Sequence, residues 1–354
     1  MIKYSPFLKL KLNEAKALEE LPSHIAGQIR PLFDIPRTTK IQSEAGIIKR
    51  IDMGLKCLKK LYEEKHAIEF YIDNHDIDDD VHLNGMHQYE YILSRFFIFN
   101  PIPVLALDRN ANHNTAAFSY LAKKGGKVAI RLQREDIESY KLTKSDIVDL
   151  YGEIAKYNVT EVHLLLDLRV ISDVNSDFAI VNSFLEGFTK DFSYGNLIVS
   201  GSIIPSNIAG LIGTSKQLHV HRNEKLVWNR VVSKFPVQFG DYGVVSPDYS
   251  DADLDPKLLR LVSTPKVFYP YADSFFILRG SSLHTNPKGN NQFFDIADMI
   301  VPEVFYRTIT YSYGDKYIHD RSYLSAKKPA KAGSQGSWIK GMLCAHITYI
   351  VNTI

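Results

Sequence analysis

The sequence predicts an α/β fold, a single (β/α)8 TIM-like barrel with a C-terminal extension of short strands and a closing helix. Eight short apolar runs alternate with segments of helical periodicity, which is typical of βαβ units. Their starts lie 24 to 41 residues apart, so eight units fill about 240 residues, close to the roughly 250 of such a barrel. The first βα turn, KLKLNEAK, has no glycine, whereas a doubly wound dinucleotide-binding sheet, the competing architecture, favours G-x-G-x-x-G there.

The predicted strands and helices follow one another along residues 1–243, which we assign to the barrel. The strands span residues 4–10, 30–35, 68–73, 103–108, 127–132, 161–168, 196–200 and 237–241. The helices span residues 13–21, 43–65, 87–97, 112–124, 144–157, 175–192 and 223–234. Most of these helices begin at Asn or Ser, which are good N-caps.

Residues 244–354 break this rhythm and form the extension. A loop rich in Pro and Asp is followed by two aromatic runs, KVFYPY and SFFILRG, and by the apolar run WIKGMLCAHITYIV. The two aromatic runs are too short to build a core of their own. We therefore expect the extension to pack on the barrel, with the last run as a closing helix.

Composition excludes several classes of protein. The 354 residues include 42 basic and 40 acidic side chains, a net charge of +2, so no overall attraction to nucleic acid or to anionic lipid is expected. The two cysteines, Cys57 and Cys344, lie far apart, which fits a reducing compartment and predicts a cytoplasmic protein. No stretch reaches the roughly 18 apolar residues of a membrane span, so no association with a membrane is expected.

Charged and polar residues recur where the predicted strands end. In a barrel this is the catalytic face, because the active site is built from the strand ends and the βα loops. Such a rim can hold a divalent cation or divide into general acid and base. The alternative is a set of Asp–Arg pairs that stabilise the rim or cap the next helices. The residues are Lys9, Lys11, Glu14, Asp34, Asp73, Asp108, Arg131, Asp167, Arg169, Ser200, Ser202, Asp241 and Tyr242.

Three other segments suggest ligands less specifically. The acidic loop DNHDIDDDVH at residues 73–82 does not match an EF-hand, which favours solvated loop acids. Small residues in SGSIIPSNIAG and FGDYG, after the seventh and eighth strands, suit an anion, since barrels often bind phosphate there. Lysines interleaved with aromatics at residues 311–340 suit a single strand of nucleic acid or another polyanion, although a solvated loop explains them as well.

The order of motifs resembles the beta protein family of phages and bacterial mobile elements. The motifs are YSPFLKLKLNEAKALEEL, IRPLFDIPR, IPVLALD, VHLLLDLR, VQFGDYG, SFFILRG and WIKGMLCAHITYIV. The resemblance supports a single barrel and implies a role in conflict between phage and host, such as antiviral defence, but the family has no established reaction. Its pattern is matched at Lys9, Glu14, Asp34, Asp167, Gly240, Asp241, Tyr242, Arg279, Gly280, Trp338 and His346. In the last helix, Ala345 precedes His346 where the pattern has paired histidines.

These observations leave two main hypotheses for function. The first is a hydrolase that cleaves phosphodiesters with Mg²⁺ or Mn²⁺ held by Asp34, Asp167 and Asp241. The second is a non-catalytic barrel that binds a nucleotide or a phage component and signals to a protein partner from a phage-conflict operon. Glycoside hydrolysis by two rim carboxylates is a third possibility.

Each predicted site residue has a role in the first hypothesis. The catalytic set is Lys9, Lys11, Glu14, Asp34, Arg131, Asp167 and Asp241. The substrate-binding set is Arg169, Ser202, Tyr242, Arg279, Trp338 and His346. Arg279 joins Lys9, Lys11 and Arg131 in stabilising an anionic substrate, a nucleotide or nucleic acid.

Overall fold

A computed structural model describes residues 1–37, 42–64, 67–249, 261 and 263–354 of the chain. Numbered along the described residues, the strands are β1 (Tyr4–Lys9), β2 (Leu32–Asp34), β3 (Tyr71–Asp73), β4 (His82–Leu83), β5 (Met86–His87), β6 (Ile102–Ala106), β7 (Gly126–Gln133), β8 (Val159–Val170), β9 (Asn196–Ser202), β10 (Lys216–His221), β11 (Gln238–Asp241), β12 (Lys266–Tyr271) and β13 (Ser274–Arg279). Eight of them form a closed parallel barrel in the order β1-β11-β9-β8-β7-β6-β3-β2, with β2 pairing back to β1. The predicted eight-stranded barrel is confirmed, and each predicted strand overlaps one of the barrel strands.

Each helix predicted from periodicity has a counterpart in the structure, but the helices Ser23–Ala26, Arg134–Ile137, Gln292–Ile300 and Tyr313–His319 were not predicted. In the described residues the helices span Leu12–Glu19, Ser23–Ala26, Glu44–Glu64, Gln88–Phe96, Ala111–Lys124, Arg134–Ile137, Tyr140–Ile154, Val174–Asp191, Asn223–Val232, Gln292–Ile300, Tyr313–His319 and Gln335–Thr353. The helix Tyr140–Ile154 begins before its predicted start at residue 144. At two other helices, Asn110 and Asp173 are the N-caps in place of Asn112 and Asn175. Their side chains accept hydrogen bonds from backbone N–H groups of the first helical turn, which have no acceptor within the helix.

The interior of the barrel is apolar in its middle and charged at its carboxyl end. Phe7, Leu32, Tyr71, Leu165 and Ile198 are among the buried side chains that meet there. Side chains alternate between the two faces of a strand, so the residues two positions further along point into the barrel as well. On β1, β2, β3, β8 and β9 these residues are Lys9, Asp34, Asp73, Asp167 and Ser200.

The described residues form two compact units. The first comprises residues 1–12, 27–203 and 223–242 and contains the barrel. The second comprises residues 13–26, 204–222 and 243–354, and so draws on two segments besides the predicted extension. It contains an antiparallel sheet in the order β10-β13-β12, and the last helix packs against β12. The expectation that residues 244–354 pack on the barrel stays a prediction.

Among the described residues, none of the helices combines the length and the apolar character needed to cross a membrane.

Candidate functional site

Arg131 lies at the centre of the charged end of the barrel. Its side chain is fully buried, and its Nη1 donates to Asp34 Oδ1 and to Asp73 Oδ2, both at 2.7 Å. Its Nη2 donates to Asp167 Oδ2 at 2.6 Å and to the Tyr242 hydroxyl at 3.0 Å. One guanidinium on β7 therefore binds carboxylates from β2, β3 and β8 through charge-assisted hydrogen bonds.

The pKa values of the three aspartates differ because burial competes with nearby cations. Burial opposes ionisation of Asp73, but the charges of Arg109 and Arg131 outweigh it and hold the pKa of Asp73 well below its usual range. The pKa of Asp167 is also lowered, since Arg131 and Arg169 outweigh its burial. For Asp34 burial dominates, and it raises the pKa to about 6 even though Arg131 opposes the shift. Asp34 is therefore the carboxylate of this group that is protonated first as the pH falls.

Arg109 extends the network outward from Asp73. Its Nη2 lies 3.3 Å from Asp73 Oδ2 and donates to His75 Nδ1 at 2.8 Å, while its Nε lies 3.2 Å from Asp108 Oδ1. Burial, together with the charges of Arg131 and Arg109, holds the pKa of His75 well below its ordinary value. His75 is therefore neutral, and its Nδ1 accepts a hydrogen bond from Arg109.

Lys9 and Asp76 form a second, looser pair in the same unit. Lys9 Nζ lies 4.0 Å from Asp76 Oδ2, and their side chains are only 6% and 7% exposed. Burial lowers the pKa of Lys9 to about 8, although the charge of Asp76 opposes this shift. Burial also raises the pKa of Asp76. Within the described residues, neither Asp76 Oδ2 nor the buried Ser200 Oγ has a hydrogen-bond partner.

Arg169 has a backbone conformation that few non-glycine residues adopt. Its φ is +53°, in the left-handed region, and the pairing of β8 with β9 is irregular between Asp167 and Val170. The Arg169 amide donates to Asp167 Oδ1 at 3.1 Å, and its guanidinium lies 5.9 Å from the centre of the Tyr242 ring. Left-handed backbone at a non-glycine residue is a form of strain that is often found at functional sites.

The predicted metal ligands do not form a common site. Asp34 and Asp167 both bind the guanidinium of Arg131, which occupies the position that a cation would need. Asp241 accepts a hydrogen bond from the Tyr4 hydroxyl instead. Because Tyr242 points into the barrel, strand alternation turns the preceding Asp241 to the opposite face. Among the described residues, no group of three or more His, Cys, Asp or Glu side chains is arranged to hold a metal ion.

Two further predicted residues lie near these groups. The Lys11 amide donates to the Lys9 carbonyl at 2.6 Å, and the charge of Lys11 contributes to the lowered pKa of Lys9. Ser202 is buried at the end of β9, where it pairs with Val170.

The other four predicted site residues belong to the second unit, and their place in a substrate site stays a prediction. Glu14 is buried on the helix Leu12–Glu19. Arg279 donates to the Ile212 carbonyl at 2.6 Å and to Thr264 Oγ1 at 3.1 Å. Trp338 is fully buried and donates its indole N–H to the Ala332 carbonyl at 2.9 Å. His346 is also fully buried, with its ring stacked 5.5 Å from that of Phe275.

The family of the chain is shown by a comparison with protein-family models. The model described as Beta protein matches residues 4–352. The chain belongs to this family. Comparisons of this Beta protein family member with curated proteins and with solved structures found no match. The match confirms the resemblance seen in the sequence motifs.

Sequence reasoning missed Asp76, His75 and Arg109. The acidic loop that contains Asp76 and His75 was interpreted as solvated, yet the Asp76 side chain is only 7% exposed and His75 is half-buried. Their position directly after a barrel strand is the signal that could have identified them, because that is where barrel sites are built. Arg109 directly follows Asp108, which the same rule had already identified.

The lowered pKa of Lys9 predicts how stability depends on pH. An unfolded lysine titrates near 10.5 and folded Lys9 near 8, so between these values the unfolded chain binds more protons and Lys9 makes the fold more stable as the pH rises. We expect Lys9→Met to remove this contribution. The free energy of unfolding of the variant, relative to that of the wild type, should therefore fall from pH 8 to pH 10 in urea titrations.

The matched control for this experiment is Lys156→Met. Lys156 is exposed, so its surroundings change little on unfolding and its variant should show no trend with pH. If the free energy of unfolding of Lys9→Met, relative to that of the wild type, also shows no trend with pH, this would contradict the burial of a charged amine at this position.

Proposed function

We propose that this end of the barrel is an acid–base active site that works without a metal ion on an anionic substrate, with phosphodiester hydrolysis as its reaction. The observation that carries the proposal is the Lys9–Asp76 pair. Its atoms are separated by 4.0 Å, too far for a hydrogen bond. A water or hydroxyl oxygen placed about 2.8 Å from each atom would bridge them.

The two groups suit opposite proton transfers. Asp76 has a buried oxygen without a hydrogen-bond partner among the described residues, and its raised pKa makes it a better base than an ordinary aspartate. Lys9 has a pKa of about 8, so at neutral pH it is protonated and is a stronger acid than an ordinary lysine. Both pKa values are therefore shifted toward neutrality, as is typical of acid–base sites.

The proposed reaction balances without a co-reactant other than water. Asp76 removes a proton from water as the water oxygen bonds to phosphorus, and Lys9 gives a proton to the leaving alkoxide as its bond to phosphorus breaks. The proton on Asp76 then passes to neutral Lys9, which restores both groups. Arg169 and Lys11 add positive charge near the developing anion. The ion pairs of Arg131 hold the strand ends in place and take no part in proton transfer.

The test is turnover in the presence of EDTA. We would assay bis(4-nitrophenyl) phosphate, 2′,3′-cyclic AMP, 3′,5′-cyclic AMP and short single strands of DNA and RNA. The expected pH profile is bell-shaped, with a falling limb near pH 8 set by Lys9 and a rising limb above the ordinary range of an aspartate, set by Asp76. Activity that appears only after Mg²⁺ or Mn²⁺ is added would contradict the proposal.

Recognition without turnover is the second candidate function. The observation that favours it is the full burial of Arg131 with its three aspartates, since compensated buried charges can give a binding surface a fixed shape. This candidate predicts saturable binding of a nucleotide or an oligonucleotide with no turnover of any substrate above. A role in phage–host conflict and a protein partner from the same operon are proposals that rest on the family resemblance.

A further inference from the structure

The second unit contains a cavity of about 200 Å³. Its walls come from the segment after β9, the segment after β11, strand β12 and the last helix, and they include Ile204, Val244, Phe268, Ile339 and Met342. The first segment overlaps SGSIIPSNIAG, whose small residues suggested an anion site in the sequence, and the second directly follows FGDYG. The walls are mostly apolar, and no carboxylate is among the described residues that line them.

Lys266 is the ionisable side chain of this lining. Its backbone is held by Gln335, whose side chain accepts from the Lys266 amide at 2.9 Å and donates to the Lys266 carbonyl at 2.9 Å. Burial, followed by the charge of Arg279, lowers the pKa of the Lys266 amine. Within the described residues, no hydrogen bond or ion pair is formed by its Nζ.

The pairing of the sheet places further positive charge beside Lys266. Arg279 on β13 pairs with Lys266 on β12 and with Lys216 on β10. The guanidinium of Arg279 donates to Thr264 and to the Ile212 carbonyl, which are neutral acceptors. Like charges directly opposite one another destabilise a sheet, so an anion bound here would relieve a repulsion that the described residues leave uncompensated.

We propose that this cavity binds a small organic anion whose carboxylate pairs with Lys266 and whose apolar body fills the space between the walls. A volume of about 200 Å³ equals that of about seven molecules of liquid water, which suits a ligand of roughly nine heavy atoms, such as benzoate. An apolar wall with one polar anchor is the usual composition of a small-molecule site. The inference is independent of the proposed chemistry of the barrel.

Calorimetric titration of the full chain with benzoate and hexanoate tests this inference, with benzamide and inorganic phosphate as comparison probes. We expect saturable binding of the two carboxylates, at least tenfold weaker binding of benzamide, and no binding of phosphate in the cavity. Lys266→Met should weaken benzoate binding at least tenfold, whereas Lys266→Arg should retain most of it. Lys216→Met is the matched control, because Lys216 belongs to the same row of cations but does not line the cavity, and it should change the affinity less than twofold.

A second measurement keeps the test independent of the stability of the variants. Acetic anhydride at pH 8 should modify Lys266 of the wild-type chain, and benzoate should slow that modification severalfold without slowing the modification of Lys216, as read by peptide mass spectrometry. Equal benzoate affinity in the wild type and in Lys266→Met, or equal protection of both lysines, would overturn the proposal. Tighter binding of phosphate than of benzoate would also overturn it.

Discussion

Replacing Arg131 with methionine should lower the free energy of unfolding by about 3–5 kcal/mol, because removing one partner of a buried ion pair leaves charge without compensation. Here the loss is shared by three carboxylates. Asp73 keeps its ion pair with Arg109 and Asp167 keeps the nearby charge of Arg169, whereas Asp34 loses the guanidinium that binds it. Urea unfolding followed by circular dichroism measures the effect. The destabilisation should diminish as the pH falls from 8 to 5, because a protonated carboxyl group is neutral and needs no cation beside it.

The matched control is Arg95→Met. Arg95 forms an ion pair with Asp52 at 2.7 Å, but both side chains are partly exposed, and such pairs contribute about 0–1 kcal/mol. If Arg131→Met does not yield a folded chain, Asp167→Asn gives a milder test, and it too should destabilise the fold, with or without added Mg²⁺. A loss below about 1 kcal/mol for Arg131→Met would contradict a structural role for the network.

Replacing Asp76 with asparagine should lower kcat/KM by about 10²–10⁴-fold, the usual contribution of a general base. Asparagine has nearly the same shape, so the fold should keep its melting temperature to within a few degrees. The loss should fall mainly on kcat, since asparagine can still hydrogen-bond to the bridging oxygen. Steady-state kinetics with the best substrate of the EDTA assay measures the effect.

Asp78→Asn is the control for this variant, because Asp78 lies in the same loop and is exposed. It should leave kcat/KM within about twofold. Lys9→Met should abolish the falling limb of the pH profile along with most of the activity. If Asp76→Asn keeps more than a tenth of the wild-type activity, Asp76 is not the base and the proposed mechanism is wrong.

The barrel was predictable from sequence because its signals are local. Each apolar run of strand length ends near a polar residue, and the spacing of the runs fits one helix per strand. The convergence of Asp34, Arg131 and Asp167 follows from that geometry, since parallel strands place their carboxyl ends together. Asp241 lies at the end of its strand, as the sequence predicted, but the prediction did not consider which face of the strand its side chain is on. The neighbouring Tyr242 is the residue that points inward.

Asp76 and Lys266 could not be predicted in the same way. The acidic loop after β3 resembles a solvated loop in composition, and only tertiary packing buries Asp76 beside Lys9. The environment of Lys266 depends on residues about 60 to 70 positions away along the chain, such as Ile204 and Gln335. Burial of this kind is a property of the whole fold and leaves no periodic pattern in the local sequence.

The guanidinium of Arg131 has a consequence for the conditions under which this Beta protein family member works. The positive charge belongs to a side chain that is shielded from solvent. Unlike a bound metal ion, it is in place as soon as the chain folds, and a chelator cannot remove it. Counter-ions do not reach a buried pair as they reach an exposed one. The charged end of the barrel should therefore keep its arrangement from low ionic strength to 1 M salt, and in cells starved of divalent cations.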